Sequence, residues 1–404
     1  MIVSSDPFNA FLAPPPCLSP PEPKAGPLGG ARLAVKDLFD VQGWRTGCGN
    51  PAKLAQSAIA ERHAPAVARL LDAGAGLVGK TQTDELAFSL FGMNEHFPRP
   101  INPAAKDRIT GGSSSGSAAA VSGGLADLAL GTDTGGSVRA PASFCGILGL
   151  RPTHGRIPLD GVMPLAPSFD TVGLFARDAG VLEAGWAALS EDGAPAAEPR
   201  PIRLLRMAAL EALVLPDAQP EWRRLLTRAA ELLGEPKPVD LPVALDELYW
   251  SFRRLQAFEA WGVHGAWILG GDRKLSPSVA ERFAFGRTID EATAGFETDR
   301  RAAFRTTLTE RLGPDGVLAL PTAPGPAPLA ASTADELGAY RERALKLLCL
   351  GGLSGLPQLS LPLGQVDGAP FGLSLVGPAG GERLLLSLGR RLLEESEGGA
   401  PWTR

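Results

Sequence analysis

The chain has 404 residues, 44% of them hydrophobic and 21% charged, so it can bury a large core, whether as two or three domains or as one large α/β enzyme. A net charge of -5 with a pI of about 5.6 offers no basic face for nucleic acid. Four cysteines without a CxxC, four histidines without an HExxH, no bilayer-length apolar run and no signal-peptide pattern at the start give one expectation: a cytoplasmic protein with no metal, no cofactor and no membrane segment.

Residues 1–30 are rich in proline and read as an irregular arm ahead of a single domain over 31–404. From Ala31, ARLAVKDLFDV reads as a buried strand and a turn. Period-two alternation puts Ala34, Lys36 and Leu38 on one face. A lysine in such company sits at a strand end or is kept for chemistry; on this segment alone a surface-reaching lysine is the ordinary reading. Thr46 to Pro51 reads as loop. Ser57 to Ala75 shows helical spacing, with Ile59, Val67, Leu70 and Leu71 on one side. GLVGKT is a short strand, and its Lys80 lacks the glycine spacing of a phosphate loop, so it reads as an ordinary loop lysine. Thr83 to Met93 reads as a short helix, followed by a proline-broken loop.

The chain is organised around Thr110 to Thr153, which holds two Gly-Gly-Ser turns, Gly111-Gly112-Ser113 and Gly135-Gly136-Ser137. Ser115 to Gly124 is almost all small residues and suits a helix laid closely on a sheet. A buried strand follows from Leu125, then a glycine turn over Thr132 to Ser137. RAPASFCG reads as a short helix with Pro141 in its first turn, and GILGLRPT and SFDTVGLFARD each supply a strand. Val181 to Gly313 reads as mostly helical, including Glu221 to Leu233 and Thr288 to Leu312. Strand signals return at GVLALPTAP, GLSGLPQLSLPLG and GAPFGLSLVGP, with helices over Thr333 to Leu350 and Gly381 to Glu395. Strands on both sides of a helical middle point to an α/β fold, one sheet assembled from both ends of the chain.

Two turn-borne serines need a base, because a serine hydroxyl attacks only when something takes its proton. The apolar surroundings of Lys36 fit a serine–lysine pairing. A lysine can act as base only when neutral, and burial favours that form by penalising the charge. His154 is the one nearby histidine, and its structural reading is favoured. Taken alone, Ser113 would be a helix N-cap ahead of small residues.

The pattern GGSSSGS…GTDTGGSVR.PASFCG.LGLRPT closely resembles the amidase signature family. The likeness extends to AVKDLFDV upstream and to PTAP, GLPQLSLPLG, GLSLVG and Glu382 downstream. It implies a single large α/β domain with a mixed central β-sheet covered by helices. It also implies that Ser137 is the nucleophile, Ser113 a relay held by a cis peptide bond, and Lys36 the neutral base. Backbone N–H groups of Thr134, Gly135, Gly136 and Ser137 would stabilise the oxyanion. Ser114 would support the relay by hydrogen bonding, and Asp133 with Arg139 would form a buried ion pair bracing the nucleophile turn. Ser115, Ser117, Cys145 and Thr171 read as structural.

Within the family the chain is most similar to short members that include plant-type indole-3-acetamide hydrolases, which implies a small primary amide such as an arylacetamide. Phe91, Met93, Asn94 and Phe97 fall where an acyl pocket would be, or are ordinary core. A dicarboxylic amide would want an arginine facing the pocket, and Arg139 is the sequence's candidate. Three rivals stand beside this reading: a glutaminase-like amidotransferase subunit, a small-molecule kinase using GGSSSGS as a phosphate loop, and a non-enzymatic docking relative. The expected partner is a small-molecule amide, with no nucleic acid and no membrane, and a homodimer is entertained as the assembly.

Overall fold

The computed structural model describes residues 5–12, 24–190 and 201–394; Cys17, part of the proline-rich arm and Glu395 lie outside them. In the first half of the chain β1 (Arg32–Lys36) is followed by α1 (Pro51–Gln56), α2 (Pro65–Asp72) and β2 (Gly76–Thr81). Next come α3 (Ser115–Ser122), β3 (Leu128–Thr132), α4 (Arg139–Cys145), β4 (Leu148–Arg151), β5 (Val172–Ala176) and α5 (Ala179–Ser190). The helical middle holds β6 (Arg203–Arg206), α6 (Ala208–Glu211), α7 (Gln219–Leu233), β7 (Lys237–Pro238), α8 (Leu245–Leu269), α9 (Pro277–Arg287) and α10 (Glu291–Leu312). The chain closes with β8 (Gly316–Pro321), α11 (Ala334–Ser354), β9 (Gln358–Val366), β10 (Ala369–Val376) and α12 (Glu382–Glu394).

All ten strands join one mixed sheet in the order β2-β1-β3-β5-β4-β9-β10-β8-β6-β7. β1 runs parallel to β2 and β3, β5 is antiparallel to β3 and β4, and β9 pairs antiparallel with β4 and β10. The sheet is therefore built from the two ends of the chain, which meet at the β4–β9 pairing.

Alternation along β1 sends Leu33 and Val35 into the core shared with α2, α5, α7 and α12. Ala34 goes to the other face, against Ala118, Ala119 and Ala120 of α3. The small residues of α3 let its backbone approach closely: a Cβ on Gly116 would stand 2.2 Å from Ala10 O and 2.5 Å from Gln82 N. Lys36 shares the parity of Ala34, so it enters this close-packed face. The described part of the N-terminal arm is not loose: Phe11 bridges Thr81 and Leu12 N–H donates to Lys80 O, covering the sheet edge at β2.

The loop expected over Thr46 to Pro51 runs to Asn50, whose side chain accepts from Lys53 N–H and starts α1 with Pro51 at the first helical position. Three local expectations are corrected. The helix expected from Ser57 starts only at Pro65; Ile59 is 55% exposed and bridges Arg45 instead. The helix expected over Thr83 to Met93 is reduced to one 3-10 turn, Glu85–Ala87, in which Leu86 (φ 48) and Ala87 (φ 58) cannot continue a right-handed helix. The buried Glu85 carboxylate holds that turn by accepting from Asn50 Nδ2 and from Ser276 N and Oγ. Lys80 is no loop lysine: it lies inside β2, 2% exposed, with its ammonium 2.7 Å from Asp37 Oδ1. The helical middle also contains β6 and β7, whose short, charge-flanked sequences carry too little periodicity to read as strands.

Candidate active site

The parallel register sets Leu33 opposite Leu128 and Val35 opposite Leu130, so the carboxyl ends of β1 and β3 lie side by side. Ligands in α/β sheets bind outside such strand ends. Lys36 closes β1, fully buried. Its Nζ is 2.8 Å from Ser113 Oγ and 2.8 Å from Thr132 Oγ1 at the end of β3. Burial lowers its pKa from 10.5 to about 7, against the opposing pull of the Asp84, Asp133 and Asp170 carboxyls and the Cys48 thiol.

Ser113 follows a cis peptide bond from Gly112 and is fully buried. Its carbonyl accepts from Asp84 N–H at 3.0 Å. The Asp84 carboxyl accepts from Gly92 N–H and lies against Gly112, where an added Cβ would stand 2.0 Å from Asp84 Oδ2. Ser114 reaches the site through Thr132: its Oγ donates to Thr132 O and accepts from Thr132 N–H, both at 3.3 Å. Ser117 Oγ donates to Leu130 O at 2.9 Å, pinning α3 to β3.

The second Gly-Gly-Ser turn runs from β3 into α4. Gly136 sits at φ 114, a conformation that favours glycine, and a Cβ on Gly135 would stand 2.4 Å from Phe252 Cζ. Ser137 is 6% exposed, whereas Ser113 and Lys36 are at 0%, so Ser137 is the member of the three nearest solvent. Among the described residues no hydrogen bond joins Ser137 Oγ to Ser113 or to any other group. Catalytic hydrogen bonds are commonly long in the empty state and tighten with substrate.

Asp133 is the hub of this turn. Its Oδ1 accepts from Gly136 N–H, Arg139 Nη2 and Arg151 Nη1, and its Oδ2 from Val138 N–H and Arg139 Nε. Burial alone would raise its pKa, but Arg139 and Arg151 hold the carboxyl far below the usual carboxylate range. Arg139 Nη1 goes on to Leu348 O and Gln358 Oε1, tying the turn to α11 and β9. Thr171 Oγ1 donates to Asp133 O. This geometry corrects the expected oxyanion set: the Gly136 N–H is engaged by Asp133, and the N–H groups of Thr134, Gly135 and Ser137 are left without a hydrogen bond among the described residues.

Thr132, Asp84, Arg151 and Asp170 were not singled out from the sequence. Asp170 accepts from Thr134 Oγ1 at 2.6 Å and from Leu165 and Ala166 N–H, fixing the turn from its other side. Three of the four lie in quoted motifs, Thr132 and Arg151 as polar residues ending strands and Asp170 beside Thr171; that position was the available signal.

The residues expected at an acyl pocket differ in exposure and partners. Asn94 is corrected to a loop brace: its Nδ2 donates to Gly49 O and Thr83 O, and its Oδ1 accepts from His96 N–H. Met93 is 39% exposed, while Phe91 and Phe97 are half-buried. His154 Nε2 lies 3.0 Å from Pro167 O. Cys145 is packed core, its thiol pushed up by burial. Among the described residues no group of three or more His, Cys, Asp or Glu side chains is placed to hold a metal ion, and no helix is long and apolar enough to cross a membrane.

Comparison with known proteins bears on the family and the fold. The Amidase family model matches residues 18–235. Amidase 1 of Arabidopsis thaliana is 38% identical, over 96% of this chain and 98% of that protein. The chloroplastic Outer envelope protein 64 of Arabidopsis thaliana is 34% identical, over 94% of this chain and 69% of its own length. A solved structure described as an amidase superposes with a TM-score of 0.83 at 33% identity, covering 91% of this chain and 85% of its own.

Proposed function

We propose that this chain, which belongs to the amidase signature family and is a hydrolase acting on amides, cleaves a small carboxylic amide through an acyl-enzyme on Ser137, with Ser113 as relay and Lys36 as base. One observation carries the reading: Lys36 Nζ lies 2.8 Å from Ser113 Oγ in a buried pocket whose other partner for the amine is a neutral hydroxyl. A pKa of about 7 leaves roughly half of the amine neutral at pH 7, against about one in three thousand for a lysine at 10.5.

In this scheme Ser137 attacks the amide carbonyl carbon as its proton passes to Ser113, whose own proton passes to Lys36. The carbonyl oxygen becomes an oxyanion facing the N–H groups of Thr134, Gly135 and Ser137. The proton returns along the same path to the amide nitrogen, the C–N bond breaks, and ammonia or an amine leaves. Water then attacks the Ser137 ester with the same relay as base, releasing the carboxylic acid. Asp133, Arg139 and Ser114 position the turn and Thr132. An arylacetamide such as indole-3-acetamide is the first substrate of the screen, and a cytoplasmic location is part of the same reading.

The test is direct. A fluorophosphonate is expected to label Ser137, and Ser137→Ala is expected to lose labelling and amide turnover together. Labelling undiminished in Ser137→Ala would overturn the assignment. Activity is expected to survive EDTA; loss restored by added metal would also count against it.

A further inference from the structure

The candidate oxyanion donors of the nucleophile turn are backbone groups, so their direction is set by the peptide units they belong to. A peptide unit is planar and rigid, and in a trans unit the carbonyl and the following N–H point in opposite directions. The units from Asp133 to Ser137 are trans. Whatever holds a carbonyl in this turn therefore sets the direction of the N–H behind it. Thr134 N–H belongs to the unit of the Asp133 carbonyl, Gly135 N–H to that of the Thr134 carbonyl, and Ser137 N–H to that of the Gly136 carbonyl.

The Asp133 carbonyl is held by two side chains. Arg151 Nη1 donates to it, and so does Thr171 Oγ1 at 3.0 Å. Asp133 N–H donates in turn to Thr171 O at 2.9 Å, so Thr171 holds Asp133 at both its N–H and its carbonyl. Beside it, Phe169 O accepts from Arg151 Nη2 at 2.9 Å and Asp170 Oδ1 accepts from Thr134 Oγ1 at 2.6 Å. Three consecutive buried residues, Phe169, Asp170 and Thr171, thus hold the entry to the turn. The other two carbonyls are held differently. Thr134 O abuts α11, where a Cβ on Gly352 would stand 3.0 Å from it, and Gly136 O accepts from Ala140 N–H at 2.9 Å. Of the three planes, only the first is fixed by hydrogen bonds from side chains among the described residues.

We propose that Thr171 is a positioning residue of the oxyanion hole: its hydroxyl, with the Arg151 guanidinium, fixes the Asp133–Thr134 peptide plane and so aims the Thr134 N–H at the developing oxyanion. The proposal rests on the reading of Ser137 as nucleophile. A donor held in place beforehand needs no reorganisation as charge develops, which is the source of its effect on rate. Arg151 also pairs with the Asp133 carboxylate, so its removal would disturb a buried ion pair as well as the plane. Thr171 is uncharged, and replacing its hydroxyl separates the aim of the plane from the charge of the hub.

The experiment compares Thr171→Val and Thr171→Ser with the unmodified protein, in turnover of primary amides and in the second-order rate of fluorophosphonate labelling, where the phosphoryl oxygen takes the place of the oxyanion. Losing a whole oxyanion donor costs about 10²–10³ in kcat. Thr171→Val turns one donor off its aim and is expected to lower kcat and the labelling rate by about tenfold each, with KM and the acid limb of the pH profile in place. Thr171→Ser keeps the hydroxyl and is expected to restore most of both. Should Thr171→Val fold poorly, Thr171→Ala against Thr171→Ser makes the same comparison of hydroxyl absent and present. An unchanged kcat, a loss carried by KM alone, or an equal loss in Thr171→Ser overturns the positioning role while leaving the nucleophile assignment standing. Absence of both labelling and turnover in the unmodified protein would instead sink the Ser137 reading, and the role of Thr171 with it.

Discussion

Lys36 and Lys80 sit one register step apart on adjacent parallel strands, Lys36 opposite Thr81 and Lys80 opposite Val35, and both are buried, at 0% and 2% exposed. Alternation sends them to opposite faces of the sheet, into different company. Lys80 meets Asp37 Oδ1 at 2.7 Å and donates to Arg45 O and Thr46 Oγ1, so all three of its protons are placed and its charge is matched. Lys36 meets two hydroxyls and no carboxylate within bonding reach. Burial alone therefore does not make a base. A carboxylate in contact favours the charged form of an amine strongly, whereas a hydroxyl acceptor offsets only a small part of the desolvation penalty. The first arrangement holds strands together; the second keeps a proton acceptor in the interior.

Removing the Lys36 amine is the strongest way to break the comparison. Lys36→Ala is expected to lower kcat/KM by about four orders of magnitude. It strands no buried carboxylate, so its stability is expected to change by no more than about 2 kcal/mol. In the unmodified enzyme kcat/KM should rise with pH through about 7, as Lys36 loses its proton. Stability carries the same signature. The folded pKa of about 7 lies below the ordinary 10.5, so between those values the unfolded chain holds a proton that the native state has lost. Stability from this group therefore rises with pH across that window and is lowest below it. Lys36→Ala should flatten that rise in pH-dependent urea melts; an unchanged rise would mean that Lys36 is charged in the fold.

The second lysine should fail in the opposite way. Lys80→Met leaves the buried Asp37 carboxylate without its cation and is expected to cost about 3–5 kcal/mol of stability, read by denaturant melts, without moving the acid limb of the rate profile. The double variant Lys80→Met with Asp37→Leu removes both charges and should recover most of that loss. A double variant no more stable than Lys80→Met would show that the pair is not the structural unit described.

How far these roles could be read from the chain depends on how local their causes are. The α3 and α4 helices and the strands at Gly316, Gln358 and Ala369 follow from small-residue runs and apolar alternation, which are local. The serine turns were visible because glycine pairs are. The exclusion of a helix at Thr83 was not visible, since it depends on Glu85 meeting Ser276 and Asn50, residues far away along the chain. The contrast between the lysines was hidden for the same reason. VK and GK look alike in sequence, and only the strand register decides which amine meets Asp37 and which meets Ser113 and Thr132.

The finest probe replaces one hydroxyl with one methyl beside each lysine. Thr132 Oγ1 accepts from Lys36 at 2.8 Å, and Thr46 Oγ1 accepts from Lys80 at 3.0 Å while donating to Asp40 Oδ1 at 2.7 Å. Thr132→Val keeps the shape and removes an acceptor that aims the amine at Ser113. It is expected to cost about tenfold in kcat/KM, the equivalent of one hydrogen bond. An acceptor favours the ammonium over the amine, so its loss should move the acid limb to lower pH. Thr46→Val should cost about 1 kcal/mol of stability and leave that limb in place. If instead Thr132→Val changed only stability, or moved the limb upward, Thr132 would be packing and the aim of Lys36 would have to come from Ser113 alone. A limb that moved with Thr46→Val would mean that the two lysines are electrically joined across the sheet, and the division of labour between them would fail.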